Sequence, residues 1–338
     1  MKKLLLLLAL LALPLTAAAE VSDMLLSSSG SFYTISSEVP AETDGSDAIT
    51  QLVLTEHRGE QAVREIVPAT MVRGTHTSAH LGYDSESGTL FVFWIQHFGF
   101  LYNQLLFCTR DNQGTWSEPT AFGSPYSFPQ NLRIAITRKV IDAADNTAHN
   151  ALTVHATWWE FDSQLGTESP QYRMLPIQDG RVVDATELDL SAFIDHSVLG
   201  PQDAETDDSV LKHPLLSSSP QQDSVLLVYG DLATRTFTKV RITPYRNVVA
   251  DGRLRVPVGK ADGRFRAPQF SVSAESQLQG IFGTERPAAL YAVEGGALRY
   301  VLLNGADGQW SETRTVALDE KITGSAAVDA LRRLVVEQ

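Results

Sequence analysis

Cysteine is nearly missing: the 338 residues contain one, Cys108. A single thiol builds no internal disulfide framework, so packing must hold the fold. Basic charge is also scarce. Twenty-seven Lys and Arg face 40 Asp and Glu, a formal charge of −13. That balance excludes a nucleic-acid binder, which needs basic surface to displace counterions from phosphates. The longest apolar run, Leu4–Leu13, falls short of the ~20 residues of a membrane span. A Gly-x-Ser-x-Gly turn, a Cys–His pairing and a phosphate-cradling glycine loop are absent as well. No reaction, cofactor or resident metal is implied, and catalytic residues stay unassigned. What is present excludes disorder: 43% of the residues are hydrophobic and only 20% charged.

The first twenty residues carry the compartment signal. Lys2-Lys3 precede the apolar run, Pro14 breaks it, and Ala17–Ala19 supply the small side chains of a cleavage site. Residues 1–19 are therefore expected to be a signal peptide cleaved after Ala19. No cysteine follows the run, so no lipid anchor is expected. The remaining 20–338 would be one secreted or periplasmic domain, a monomer with no membrane insertion. Cleavage removes Lys2 and Lys3 and no acid, which leaves −15. Cys108 closes the run Leu105-Leu106-Phe107-Cys108 and reads as a buried, inert thiol.

Past residue 20 the apolar residues come in runs of five to eight with turn residues between them. Thr89–Ile95, Leu152–Trp159, Ser224–Tyr229 and Leu298–Leu303 are examples. This pattern is all-β. The runs repeat as pairs, a small-residue strand and then an apolar strand ending in a polar residue. A second hairpin with an Asp-x-x-Gly or Asp-Gly turn often follows. Four-strand units repeated in this way predict a β-propeller. The anchors Trp94, Trp159, Tyr229, Phe282 and Val335 are 65, 70, 53 and 53 residues apart. That spacing favours five blades, with six possible because Phe32–Ser37 is left over. Ser325–Gln338 would supply two inner strands that close the ring against the outer strands Thr50–His57 and Val63–Ala69.

Two hairpins, Thr109–Pro119 (TRDNQGTWSEP) and Asn304–Glu312 (NGADGQWSE), resemble the turns of the sialidase-like, Asp-box-type propeller family. Thr109, Asp111, Gly114, Thr115 and Trp116 match that pattern in order. The Asp-to-Gly spacing is one residue longer and the Gly-to-Trp spacing one shorter than in the family. The resemblance implies a propeller whose turns are structural and lie away from the ligand face. A sialidase-like enzyme would also need converging arginines, a Tyr–Glu nucleophile pair and an acidic proton donor. Arg73, Arg133, Arg266 and Arg286 are the arginines near predicted strand starts or loops. The inner strands expected around His80, Ile134, Leu216, Phe270 and Ala327 offer no carboxylates at their middles. That argues against five-bladed glycoside hydrolases, which need two carboxylates about 5–10 Å apart.

Ligands of such a fold meet the loops that enter the first strand of each blade and those that leave the second. These carry Gln96, His97, Trp158, Glu160, Asp231, Glu285 and Arg286, joined by Arg133 and Arg266. Aromatic rings with carboxylates and amides are what a sugar site uses. The expected function is a non-catalytic binding module for a glycan, peptide or protein partner. The alternative is a sialidase-like glycoside hydrolase using Arg133, Arg266 and Glu160 or Asp231. Three histidine spacings (His76/His80, His149/His155, His196/His213) invite a metal reading but imply no site, since the four residues from His76 to His80 span about 13 Å in a strand. The acidic stretch Leu199–Asp208 reads as a surface loop.

Overall fold

The computed structural model describes residues 20–27, 31–40, 49–58, 61–98, 103–124, 127–163, 165–178, 181–183, 185–193, 208–219, 221–249, 252–273, 276, 278–282, 287–304, 308–318 and 324–336. Residues 1–19, His196, Glu285, Arg286 and all of Leu199–Asp208 except Asp208 lie outside them. The chain divides into two compact units. One is Met1–Leu132 with Phe161–Gly166, and the other is Arg133–Glu160 with Thr167–Gln338. No described helix is long and apolar enough to cross a membrane.

The first unit holds two antiparallel meanders. Strands β1 (Glu20–Leu26), β2 (Phe32–Glu38), β3 (Ile49–Arg58) and β4 (Gln61–Ile66) pair in sequence order, and β5 (Val72–Arg73) pairs with the start of β3. Strands β6 (Thr75–Asp84), β7 (Thr89–His97), β8 (Asn103–Arg110) and β9 (Thr120–Ala121) form the second. Alternation sends Ile35, Leu52 and Leu54 from one sheet, and Leu81, Leu90, Val92, Trp94 and Cys108 from the other, into a shared core. Trp94 is fully buried there, as expected of a core residue.

In the second unit the meander recurs. Strands β10 (Ser127–Asp142), β11 (Ala148–Asp162), β12 (Thr167–Gln178) and β13 (Arg181–Val182) come first, with β14 (Thr186–Glu187) also on β12. The ends of β10 and β11 fall in the first unit's residue ranges. Next come β15 (Leu215–Ser218), β16 (Val225–Asp231), β17 (Thr236–Val249) and β18 (Gly252–Arg266), then β19 (Gln279–Phe282), β20 (Pro287–Glu294), β21 (Ala297–Leu302) and β22 (Arg314–Ala317). The tips of β10 and β17 pair in parallel at Ile141–Tyr245. One core joins Tyr172 and Met174 to Tyr229, Val240 and Ile242, and another joins Val228 and Phe237 to Leu290 and Val301.

Three expectations are corrected. Residues Gly324–Val336 form a helix, α1, rather than two closing strands. Ala327, Leu331 and Val335 recur every four residues among good helix formers, a 3.6-residue stripe and not an alternation. That stripe packs on Ile281, Ala289, Tyr291 and Leu298, the face of the last sheet. The first sheet needs no tail, because Phe32–Glu38 lies between β1 and β3 and completes a four-stranded meander. Finally, Gln279–Phe282 is the first strand of its sheet, not the second, while Phe270 lies outside any strand.

Candidate functional site

Of the two hairpins that resemble Asp-box turns, the one at Asp111 folds as a turn. Asp111 Oδ1 accepts the backbone N–H groups of Gln113 and Thr115, and Gly114 takes φ 87°. Each hairpin tryptophan ties its sheet to the preceding meander. The Trp116 indole donates to Glu65 on β4 (2.9 Å), and the Trp310 indole donates to the Arg266 carbonyl on β18 (2.7 Å). Arg110 forks onto the same Glu65 at 2.9 and 2.6 Å. The Tyr33 hydroxyl donates to Glu56 (3.3 Å), which also accepts Arg58. This tyrosine–glutamate pair is built into the core. Burial pushes the Tyr33 hydroxyl up, the opposite of what a nucleophile needs.

A different polar cluster gathers where β3, β6 and β8 begin and β7 ends. Register places Thr75 opposite His97, His76 opposite Gln96 and His97 opposite Asn103. Gly74 makes this possible: a Cβ there would lie 1.8 Å from the His97 carbonyl oxygen, and its φ is 129°. The Thr50 hydroxyl donates to the Gly74 carbonyl (2.8 Å) and lies 2.8 Å from His76 Nδ1. The Thr50 hydroxyl thus bridges the Gly74 carbonyl and the His76 ring. Burial pushes the His76 pKa down to about 4, and the neighbouring Gln96 amide only partly opposes it.

His97 bonds Asn103 Oδ1 through Nδ1 (2.6 Å) and Thr77 through Nε2 (2.7 Å). Gln96 is 1% exposed and its Nε2 donates to the Thr75 carbonyl. Two atoms in this cluster have no hydrogen-bond partner among the described residues: His76 Nε2 and Gln96 Oε1. They belong to cross-strand neighbours. Phe98, the next residue, is 39% exposed beside it.

The other predicted residues fall in the second unit. The Trp158 indole donates to Glu160 at 2.6 Å. Asp231 accepts Arg264 (3.1 Å) and the backbone of Ala233 and Thr234, so its partner is Arg264 rather than Arg266. Arg133 is buried and donates to the Leu278 carbonyl at 3.5 Å. Its charge and, more strongly, burial hold His213 down at about 4. The Arg266 side chain is exposed. Glu285 and Arg286 lie outside the described residues. The histidine spacings do not converge: His80 bonds Asp23, His149 faces Asp142, and His155 bonds Thr137 and Tyr172. No group of three metal-ligating side chains occurs among the described residues.

Thr50, Thr77 and Asn103 were not legible as site residues. They are uncharged and sit at strand ends, where such residues usually meet water. Only their register against Gln96 and His97 reveals them.

No family model matches this chain, and no curated protein matches it. Solved structures similar to it include an alpha-L-arabinofuranosidase from Fusarium graminearum (11% identity over 85% of this chain and 72% of that one, TM-score 0.40). Another is an alpha-L-arabinofuranosidase from Lactobacillus brevis (11% identity, 91% and 94%, TM-score 0.37). A third is the NanB sialidase from Streptococcus pneumoniae (8% identity, 88% and 60%, TM-score 0.38).

Proposed function

We propose that the chain is an exported five-bladed propeller that binds a glycan without cleaving it. One observation carries the reading: the polar side chains of His76, Gln96, His97 and Asn103 gather at neighbouring strand ends, with Phe98 exposed next in the chain. Sugar hydroxyls hydrogen-bond such side chains, and an aromatic ring is the usual partner of a sugar's apolar face. Five four-stranded meanders supply one blade each. The helix on the last sheet replaces the strand closure expected from the sequence.

The rival is hydrolysis. A glycosidase acid is a carboxyl held protonated by a raised pKa. The described carboxyls whose pKa moves clearly, Glu56, Glu65, Asp111, Asp145, Asp189 and Glu294, all move down. A glycan array with a fluorogenic glycoside panel, arabinofuranosides and sialosides included, decides between them. Binding without turnover, weakened about tenfold or more by Gln96→Leu, is expected. Turnover of any member replaces this reading with the hydrolase.

A further inference from the structure

Helix α1 leaves part of its sheet uncovered. The stripe Ala327, Leu331 and Val335 packs on the sheet, and a second row lies beside it, Ala326, Ala330 and Leu334, at the same spacing. The two alanines offer only methyl groups, too little to fill the space over β21 and β22. A cavity of about 340 Å³ remains there, walled by Leu298, Tyr300 and Val316 from the sheet and by that second row from the helix. Leu334 is 42% exposed, and Ala326 and Ala330 are exposed as well, so the cavity opens to solvent. Interiors are otherwise close-packed, and an unfilled void forfeits the dispersion contacts of its lining. Apolar cavities of about 150 Å³ already take up apolar guests.

Register places one charge beside this cavity. Residues directly opposite each other in an antiparallel pair share a face. Tyr300 stands opposite Arg314 and Leu298 opposite Val316, so Arg314 lies on the helix-facing side of β22. Among the described residues of β19, β20, β21 and β22, Arg314 is the one charged residue on that side. Arg314 is exposed, and neither its guanidinium nor the Tyr300 hydroxyl has a hydrogen-bond or ion-pair partner among the described residues. Glu312, the acid nearest to it in sequence, forms no ion pair with it.

An apolar cavity flanked by one free guanidinium and one free phenol fits a hydrocarbon tail that ends in a carboxylate. Both groups donate to carboxylate oxygens, and the guanidinium adds opposite charge. We propose that the seam between α1 and strands β21 and β22 binds a fatty acid, its tail in the cavity and its carboxylate on Arg314 and Tyr300. The volume sets the size of the occupant. It lies at the lower end of the ~300–1,000 Å³ of small-molecule sites, and a partner's helix, about 10 Å across, does not enter it. This site belongs to the second unit and is independent of the glycan reading, so either can fail alone.

Calorimetric titration of the full chain with decanoate, decanol and decyltrimethylammonium, all below their micellar concentrations, separates tail from head. Decanoate is expected to bind, decanol to bind about tenfold more weakly, and the cationic amphiphile more weakly still. Arg314→Gln, at an exposed strand position, should weaken decanoate about tenfold and leave decanol unchanged. Lys260→Gln on β18, an equal loss of charge on another sheet, should change neither. Ala330→Phe fills the cavity from an exposed helix position and should remove both. Hydrogen exchange on the unmutated protein guards against misfolded variants: decanoate should slow exchange within 297–302 and 324–336. The proposal falls if decanoate does not bind, if Arg314→Gln leaves its affinity unchanged, or if exchange slows elsewhere instead. Decanol binding as tightly as decanoate, or the cationic amphiphile binding more tightly, overturns it as well.

Discussion

The Trp116 indole and the Arg110 guanidinium meet on one carboxylate, that of Glu65, at 2.9 and 2.6 Å. The contact clamps the second meander to the first across the core that holds Cys108. Trp116→Phe keeps the packing and loses one hydrogen bond, an expected cost of about 1 kcal/mol. Glu65→Ala strands the mostly buried Arg110 as well and should cost about 2–4 kcal/mol. Urea unfolding of the two variants measures both, and equal losses would contradict the clamp.

Acid should unfold the protein earlier than its carboxylates alone dictate. Burial lowers His76 and His213 to about 4 and His155 to about 3. Each is neutral when folded and titrates near 6.5 when unfolded. Between those values the unfolded chain binds more protons. The stability is therefore fully present above about pH 6.5 and falls as pH drops, by about 1.4 kcal/mol per pH unit per histidine. Unfolding midpoints compared at about pH 7.5 and about pH 5 test this. An unchanged midpoint would show that these rings are open to water.

Gly74→Ala should disrupt the His76–Gln96 cluster. The added methyl meets the His97 carbonyl oxygen at 1.8 Å from a backbone at φ 129°. A loss of about 3 kcal/mol or more is expected, with shifted resonances for His76 and His97. Native-like spectra in the alanine variant would refute this packing.

Cys108 is fully buried, and burial pushes its thiol well up. A thiol reagent should leave it untouched until the first unit opens, so labelling reports that unit's unfolding alone. Rapid labelling in native buffer would exclude the core described here.

Much of the fold was legible in the sequence. Apolar runs exposed the strands around Trp94 and Trp159, an Asp-x-x-Gly turn marked the hairpin at Asp111, and an Asp-Gly pair marked the link between Gln178 and Arg181. The tail was misread because Leu331–Val336 holds apolar residues that suit either period over so short a run, and Ala327 decides for the helix only when counted with them. The leftover strand Phe32–Ser37 was unplaceable for a related reason, since strand pairing is nonlocal and the sequence does not state partners. For the site, Gln96 and His97 stood out as polar residues closing an apolar strand. The bond of His76 to the Thr50 hydroxyl did not, because the two lie twenty-six residues apart.

Helix α1 meets its sheet through a stripe of apolar side chains, while the strands of that sheet are stitched by a ladder. Under tension applied at the carboxyl end, the helix would peel away at low force. The strands would then resist by shear, and a force-extension trace would show a soft early step before the stiff ones.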